Sequence, residues 1–410
     1  MSQYRLHGTV GLALVAVMAA ACTEQSTTSP PISRGVVEAS ADLVAGSAPQ
    51  ELASVGWQEQ ARTLVAANKL SPLAAVRVYA ALSVAEYQAV VGIPTPERAR
   101  APRAVEERRG AVAGASVQVL SFFFPAAATS LEQRVTTESD AVPDKLRPFF
   151  TRGVASGRIT GTLRVELTKT DRFTTPWTGT VPVGPGMWIA NGPPAGATFG
   201  GVRPYFLTSG NQFRPAPPPA FGSESFLADL SEIRTLASNR TSEQLASALY
   251  WNFPTGTMTP PGYWDRVAGD YIAGYGLDER AATRAFALMN AAMMDALIGC
   301  FDAKYYYWTI RPSQADPAIT LVLGLPNHPS YASAHSCVSS AAATVLSSLF
   351  PQRSEQLNTW VTQAGLSRMY AGIHYRFDID AGRELGMRVA RWALEHATLI
   401  DVQPDPDLDR

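Results

Sequence analysis

The sequence predicts an all-α protein, a helical bundle with one long covering insertion rich in proline and glycine. Three observations lead to this fold class. Apolar residues recur at helical spacing through most of the chain, few stretches alternate as strands do, and residues 174–222 follow neither pattern. The 410 residues, 46% hydrophobic and 17% charged, suffice for one large core or two ordinary ones. We expect a single helical domain over residues 51–400 and a tail over residues 401–410.

Residues 1–22 have the features of an export signal. A basic start precedes an apolar run over residues 10–17, which is too short to span a membrane as a helix. The ending "MAAAC" resembles a bacterial lipoprotein cleavage site, with Ala19 in place of the usual Leu, and this resemblance implies that Cys22 is lipidated. A polar tether over residues 23–50 comes next. We therefore expect an exported protein, either an envelope lipoprotein held to the membrane by its N-terminal lipid alone or a periplasmic or extracellular protein.

The first predicted helix after the tether begins at Ser71, a favourable N-cap, and Pro72, which suits the first helical position. Its apolar residues form one stripe that should face the core. The stripe consists of Leu73, Val76, Ala80, Val84 and Tyr87. Two more helices are predicted within residues 104–137, and another near residues 144–169.

Residues 174–222 contain many prolines and glycines, as in "VGPGMWIANGPPAGATFGG". Because so long a structureless loop is uncommon in a compact domain, we interpret this segment as an ordered cover and not as a linker. Helical signals return at Thr241 and Gln244, which have the spacing of a capping box. They continue in "DERAATRAFALMNAAMMDALIGCFDAKYYYW", "SCVSSAAATVLSSLF", "SEQLNTWVTQAG" and "DIDAGRELGMRVARWALEHA".

The charge balance excludes one class of partner. With a formal net charge of −1 and no long basic stripe, we predict no binding to nucleic acid, whereas a small anion held by local cations stays compatible. Beyond Cys22 the cysteines are Cys300 and Cys337, too few for a zinc framework. They are either two buried apolar side chains or a disulfide pair. The oligomeric state is open.

Lys304 and Arg311 are the first candidate binding residues. They are seven residues apart, so two turns of one helix would bring both cations to the same face. Pro312 should end or bend that helix directly after Arg311, which would let the guanidinium reach past the last turn. We therefore expect both cations to point at one location.

Ser333, Ala334 and His335 come just before an apolar helix that should start near Ser336. The free N–H groups and the positive dipole end at such a helix start attract an anion. The small side chain of Ala334 would let the backbone approach that anion closely. This stretch therefore adds a second element to the candidate anion site.

Arg368, His374 and Asp378 follow in "SRMYAGIHYRFDIDAG". If the chain is helical from Ile373, the carboxylate of Asp378 can hold one nitrogen of His374 and leave the other free as a nucleophile or ligand. Three cations, a helix start, two histidines and one orienting carboxylate suit a tetrahedral oxyanion, or the state formed when that ion is attacked in line. A divalent metal would be repelled by the cations.

The three motifs occur in a fixed order, as "KYYYWTIRP", "PSYASAH" and "SRMYAGIHYRFD". This order resembles the signature of the superfamily that unites type 2 phosphatidic acid phosphatases, bacterial acid phosphatases and vanadium-dependent haloperoxidases. The stretches "PLAAVRVYAALSVAEYQAVV" and "VRPYFLTSGNQFRPAPPPAF" are similar to the bacterial haloperoxidase-like branch. The resemblance implies a helical bundle of the haloperoxidase and acid phosphatase type.

The resemblance also implies a role for each motif residue. The oxyanion, vanadate or phosphate, would be bound by Lys304, Arg311, Ser333, Arg368 and the backbone N–H of Ala334. His374 would bind vanadium or accept the phosphoryl group, Asp378 would orient it, and His335 would be the acid–base group. The family usually has Gly at position 334, so a requirement for positive φ there would strain this chain.

Two reactions are compatible with such a site. With vanadate as cofactor the protein would oxidise halide with hydrogen peroxide, and without a cofactor it would hydrolyse a phosphate ester through a phosphohistidine at His374. The cover, Tyr331 and His328 favour the haloperoxidase, because the resemblance implies a histidine at the position of His328 in bromide and iodide oxidisers. His328 is otherwise a polar turn residue. The export signal and the shared catalytic residues favour the phosphatase, and a non-catalytic lipoprotein is the third alternative.

Overall fold

The computed structural model describes residues 52–93 and 102–401. Within them the chain forms α-helices and short 3-10 helices, with isolated bridges in place of β-strands. In chain order the α-helices are α1 Ala53–Ala67, α2 Pro72–Val91, α3 Pro102–Phe123, α4 Ala128–Asp140, α5 Arg147–Lys169, α6 Glu224–Ser238, α7 Ser242–Tyr250, α8 Thr259–Gly274, α9 Glu279–Tyr307, α10 Pro312–Ala315, α11 Ala334–Leu349, α12 Ser354–Tyr370 and α13 Arg376–Glu395. The all-α prediction is confirmed. The export signal, Cys22, the tether and residues 402–410 lie outside the described residues.

The helices begin near the positions that the sequence predicts. α3 and α4 lie within or close to residues 104–137, and α5 corresponds to the helix near residues 144–169. The capping box is present at the start of α7, where the Thr241 hydroxyl accepts from the Gln244 N–H and the Gln244 side chain accepts from the Thr241 N–H. Local capping chemistry therefore sets the start of α7.

α2 also begins as predicted, because the Ser71 hydroxyl accepts a hydrogen bond from the backbone N–H of Ala74. Its buried surface is wider than the predicted stripe, since within residues 75–90 every residue except Arg77 is buried. Helices α3, α5, α8 and α9 all pack against it. α2 is therefore a central helix of the bundle and not an amphipathic surface helix.

The longest helix, α9, contacts α2, α11 and α13. It is 29 residues long and apolar enough to cross a membrane, but 94% of its most apolar window is buried inside the protein. Its start is capped by Asp278, whose carboxylate accepts from the N–H of Ala281 at 2.9 Å. α9 is a core helix whose last turn carries Lys304 to the centre of the bundle.

α11 and α13 approach closely because α13 has glycines on the contact face. A Cβ atom at Gly382 would lie 2.6 Å from the carbonyl oxygen of Ser333, and one at Gly386 would lie 2.2 Å from the carbonyl oxygen of Cys337. Either side chain would force the helices apart. The close contact holds the start of α11 against the helix that carries Asp378.

Residues 174–222, here called the cover, contain no α-helix. Their backbone is hydrogen-bonded to the segment that connects α9 to α11. Trp188 N donates to the carbonyl oxygen of Trp308 at 2.7 Å, and Ala195 N donates to that of Asn327 at 2.9 Å. The cover is thus an ordered part of the domain, attached to the segment that contains the predicted site residues.

Candidate active site

Lys304 lies in the last turn of α9 and is fully buried. Its Nζ donates hydrogen bonds to the carbonyl oxygens of Pro329 at 3.0 Å and Ser330 at 2.8 Å. Burial is the main cause that lowers the pKa of Lys304, to about 8. The ammonium group is therefore held by neutral acceptors, and a nearby anion would raise its pKa again.

The prediction that Lys304 and Arg311 share a helix is wrong. α9 ends at Tyr307 because Trp308 adopts a left-handed conformation with a φ of 52°, which an α-helix does not continue. Arg311 is the N-cap of α10 and Pro312 is its first residue, so the proline starts a helix instead of ending one. A loop, and not a helical repeat, brings Arg311 to the site.

The Arg311 guanidinium is buried and donates to neutral acceptors. Nη1 donates to the carbonyl oxygen of Ile373 at 2.7 Å and to Nε2 of His374 at 3.1 Å. Nη2 donates to the carbonyl oxygen of His328 at 3.0 Å. Burial lowers the pKa of Arg311 to about 10, and the charge of Asp378 acts against this shift.

Arg368 is the third buried cation and lies in α12. Nη2 donates to the carbonyl oxygen of Ala248 at 2.8 Å, and Nε donates to the hydroxyl of Ser367 at 3.0 Å. Burial lowers the pKa of Arg368 to about 9. Among neighbouring charges, that of Arg368 has the largest effect on the pKa of His335, which places Arg368 beside the same site.

The start of α11 forms the fourth side of the site. Ser333 is the N-cap, and the helix begins at Ala334, two residues earlier than the predicted start near Ser336. Ala334 therefore has ordinary helical backbone and is not among the described non-glycine residues with positive φ. The strain expected from a methyl group at this position does not arise. The N–H of Ser336 donates to the Ser333 hydroxyl, and the N–H groups of Ala334 and His335 remain at the helix start for an anion.

His374 is held by a carboxylate, as the sequence predicts. Its Nδ1 lies 2.8 Å from Oδ2 of Asp378. The predicted helix from Ile373 is wrong, because α13 starts after its N-cap, Tyr375. The contact forms because Asp378 lies in the first turn of α13 and reaches back, where it also accepts from the N–H of Tyr375 at 3.1 Å. Since Arg311 donates to Nε2, neutral His374 carries its proton on Nδ1 and a lone pair on Nε2.

The protonation states follow from burial. Burial is the main cause that lowers the pKa of His374 well below its ordinary value, and the charges of Arg311 and Lys304 lower it further. Burial raises the pKa of Asp378 to about 6, against the lowering effect of a hydrogen bond from Ser330. At neutral pH His374 is therefore neutral and Asp378 is ionised. The Nε2 lone pair accepts from Arg311 here, and it would turn to an electrophilic centre when a bound anion takes over the guanidinium.

His335 is fixed by a backbone group. Its Nε2 lies 2.9 Å from the carbonyl oxygen of Trp251, so Nε2 carries a proton and Nδ1 is the basic atom. Burial and then the charge of Arg368 lower the pKa of His335 well below its ordinary value. His335 and Ala334 are half-buried, whereas the three cations are fully buried, so this edge is where the site meets solvent.

His328 lies at the rim of the site and is also half-buried. Its Nδ1 is 3.0 Å from Nη2 of Arg311, and its ring centroid is 5.2 Å from that of Phe301. Cys300 and Cys337 are buried free thiols, so the structure supports the apolar alternative for this pair and not the disulfide.

The sequence reasoning missed several contact residues, among them Ser330, Trp251 and Ala248. Ser330 donates to Asp378, and the carbonyl groups of Trp251 and Ala248 hold His335 and Arg368. Ser330 lies inside the motif "PSYASAH", where its hydroxyl was a detectable signal. Backbone carbonyls carry no residue signature, so the other two could not be identified from the sequence.

Known proteins with similar sequences match part of the chain. A sequence model of the PAP2 superfamily matches residues 284–397. Non-specific acid phosphatases of Salmonella typhi and Salmonella typhimurium are 33% and 32% identical over 105 residues, which are 24% of this chain. That match spans 41% of the length of these curated relatives, or about two-fifths of each.

Known structures are similar over most of the chain. A bacterial vanadium-dependent iodoperoxidase has a TM-score of 0.70 and 24% identity, over 83% of this chain and 95% of that chain. A holo-type bacterial vanadium-dependent chloroperoxidase has a TM-score of 0.67 and 14% identity, over 88% of this chain and 100% of that chain. At these identities the likeness shows the fold. Residues 284–397 therefore belong to the PAP2 superfamily, within a chain that has the all-helical fold of the vanadium-dependent haloperoxidases.

Proposed function

We propose that the protein is a vanadate-dependent haloperoxidase that oxidises halide, with bromide or iodide favoured, using hydrogen peroxide. One observation carries this proposal. Three buried cations are held by neutral acceptors. The cover next to them is hydrogen-bonded to the segment that connects α9 to α11. The iodoperoxidase likeness, which extends over 83% of the chain, supports the proposal, whereas the acid phosphatases match 24% of it.

The residues present fit an oxyanion. Burying a cation without a counter-ion is costly, and a bound oxyanion would supply the missing negative charge to Lys304, Arg311 and Arg368. The Ser333 hydroxyl and the backbone N–H of Ala334 would bind further oxygens, and Nε2 of His374 would bind vanadium. When bound, vanadate would activate hydrogen peroxide for attack by halide.

The chain's own residues set the proton positions. Asp378 holds the proton of His374 on Nδ1, so Nε2 carries the lone pair. That lone pair accepts from Arg311 here and would face the anion once the guanidinium binds the anion instead. The carbonyl group of Trp251 holds the other histidine, His335, with its proton on Nε2. Nδ1 of His335 is then free to take a proton from hydrogen peroxide or water at the half-buried edge.

The cover restricts the size of the substrate. Tyr331 Oη donates to the carbonyl oxygen of Ala216 at 2.6 Å, and Tyr307 Oη donates to that of Pro215 at 2.8 Å. These bonds join the cover to the end of α9 and to the segment before α11. A segment held in this way favours small molecules such as peroxide and halide, and it excludes water from the buried cations.

A specific observation also favours a second function, an acid phosphatase. A stretch of 105 residues, 24% of the chain, is 33% identical to a curated acid phosphatase, and the neutral Nε2 of His374 suits a nucleophile that attacks phosphorus. In that reaction Nε2 would bond to phosphorus while the bond to the ester oxygen breaks, and the leaving alkoxide would take a proton from solvent and depart as the alcohol. Water, deprotonated by His335, would then break the phosphorus–nitrogen bond and release phosphate.

We also propose that the protein is exported and lipidated at Cys22, on the strength of the N-terminal sequence. Mass spectrometry of the mature protein from its native envelope tests this. A diacylglycerol-modified N-terminal Cys22 is expected, and a mature chain that retains residues 1–22 would contradict it.

The purified protein, incubated with orthovanadate, peroxide and bromide and in parallel with p-nitrophenyl phosphate, tests the proposed reaction. Vanadate-dependent halogenation that is lost in His374→Ala is expected. His396→Ala is the matched control, because His396 stacks on Trp392 at the end of α13. Absence of halogenation at every vanadate concentration, with ester hydrolysis that depends on His374, would establish the phosphatase instead.

A further inference from the structure

Ser330 lies in the segment before α11 and is fully buried. Three of its atoms form hydrogen bonds. Its Oγ donates to Oδ2 of Asp378 at 2.5 Å, its carbonyl oxygen accepts from Nζ of Lys304 at 2.8 Å, and its N–H donates to the carbonyl oxygen of Thr309 at 2.9 Å. One residue thus contacts both the carboxylate that holds His374 and a cation of the anion site.

We propose that Ser330 is a positioning residue that fixes the rotation of the Asp378 carboxylate and places Lys304 at the same time. Through these two contacts it aligns Nε2 of His374 with the cations that bind the anion. The inference rests on the anion site proposed above, and it holds for either of the two reactions considered there.

The hydrogen bonding of Asp378 is asymmetric, which supports this role. Oδ2 accepts from three donors, the Ser330 hydroxyl, Nδ1 of His374 and the N–H of Tyr375. Oδ1 is buried and has no hydrogen-bond partner among the described residues. Because the donors converge on a single oxygen, losing the Ser330 hydroxyl would leave two donors there and nothing on Oδ1 among the described residues. The carboxylate would then rotate more easily, and the direction of His374 would be less firmly fixed.

The backbone contact adds a geometric constraint. Lys304 donates to the carbonyl groups of two consecutive residues, Pro329 and Ser330. The side chain of Ser330 is therefore attached to α13 while its carbonyl group is attached to α9. A shift of Ser330 would move the ammonium group and the imidazole relative to each other, which a tight oxyanion site does not tolerate.

Ser330→Ala tests the role, with Ser330→Thr as the conservative variant that keeps the hydroxyl. The matched control is Ser336→Ala, because Ser336 is equally buried and its Oγ has no hydrogen-bond partner among the described residues. Calorimetric titration of the unloaded protein with orthovanadate measures anion affinity. Proton NMR of the downfield His374 Nδ1–H signal measures the alignment of the imidazole.

We expect Ser330→Ala to lower orthovanadate affinity about 10- to 100-fold and to broaden or shift the His374 signal. Ser330→Thr should recover most of both, and Ser336→Ala should change neither. Wild-type affinity together with an unchanged signal in Ser330→Ala would overturn the proposal, as would an equal loss in Ser336→Ala. The wild-type protein could show no halogenation while Ser330→Ala still lowers phosphate affinity and alters the NMR signal. In that case the proposed reaction fails and the positioning role of Ser330 stands.

Discussion

Two clusters of buried charged side chains lie along the same core, and they differ in whether the protein itself supplies their partners. The acid cluster consists of Glu86, Asp265 and Glu279, all buried. Each has protein donors at hydrogen-bond distance. Glu86 accepts from Ser116 and Gln58 at 2.8 Å, Asp265 accepts from Arg62 and from Asn290 at 2.9 Å, and Glu279 accepts from the N–H groups of Ala53 and Ser54 at 2.9 Å.

The anion site is formed by Lys304, Arg311 and Arg368 with the start of α11 and His374. Among the described residues its cations donate to carbonyl oxygens, a hydroxyl and imidazole nitrogens, and the nearby carboxylate of Asp378 accepts from His374, Ser330 and Tyr375 instead. The difference indicates that the acid cluster contributes to stability, whereas the charge of the anion site is left available for a ligand.

The largest expected effect separates chemistry from stability. His374→Ala should reduce turnover by about 10³-fold or more, because it removes the atom that bonds to vanadium or phosphorus. The urea midpoint should change little. The measurement is steady-state kinetics in both assays with a parallel unfolding curve, and activity within about tenfold of wild type would contradict the role given to His374.

The next prediction compares how much the acid cluster and the anion site contribute to the free energy of unfolding. Asp265→Ala should lower the free energy of unfolding by about 3 kcal/mol, because it leaves the half-buried Arg62 and the buried Asn290 without their acceptor. Lys304→Met should change it by less than about 1 kcal/mol, since removing a desolvated ammonium group offsets two lost hydrogen bonds. Urea unfolding of both variants measures this difference in stability. Equal destabilisation by Asp265→Ala and Lys304→Met would contradict it.

The pH dependence of anion binding sharpens the same contrast. The pKa of Lys304 is lowered to about 8 by burial, and a bound anion favours the charged form, so affinity should fall as pH rises through that value. Sulfate is a suitable probe because its charge does not change in this range. We expect affinity to fall by up to about tenfold per pH unit above the pKa, and a flatter profile for Lys304→Arg. A flat wild-type profile would show that Lys304 does not bind the anion.

The smallest expected effect concerns halide preference. His328→Phe removes the contact with Arg311 and leaves an aromatic ring next to Phe301. We expect the ratio of kcat/KM for bromide to that for chloride to fall by a few-fold, about 1 kcal/mol or less. An unchanged ratio would restrict His328 to a structural role in the loop.

Much of the site could be predicted because its charged residues occur in a short, ordered set of motifs. The sequence predicts that Lys304 and Arg311 lie close together because they share a helix, and the shared helix is wrong. A left-handed turn at Trp308, held by the cover residue Trp188, replaces the expected helix. Contacts between distant residues decide such turns, and a local sequence pattern does not contain them.

The same limit applies to the orienting groups. His374 and Asp378 are four residues apart, so their contact follows from local spacing even though the helix starts later than predicted. The carbonyl group of Trp251 is 84 residues from His335, and that of Ala248 is 120 residues from Arg368. Only the folded chain brings these pairs together.

The central claim is that the three buried cations and His374 form one oxyanion site. Calorimetric titration of the unloaded protein with orthovanadate tests it most directly. We predict saturable binding of one ion per chain, weakened at least about tenfold in His374→Ala and in Lys304→Met, and unchanged in His396→Ala. The claim would be contradicted by the absence of binding in the wild-type protein, or by affinity that is unchanged in both site variants.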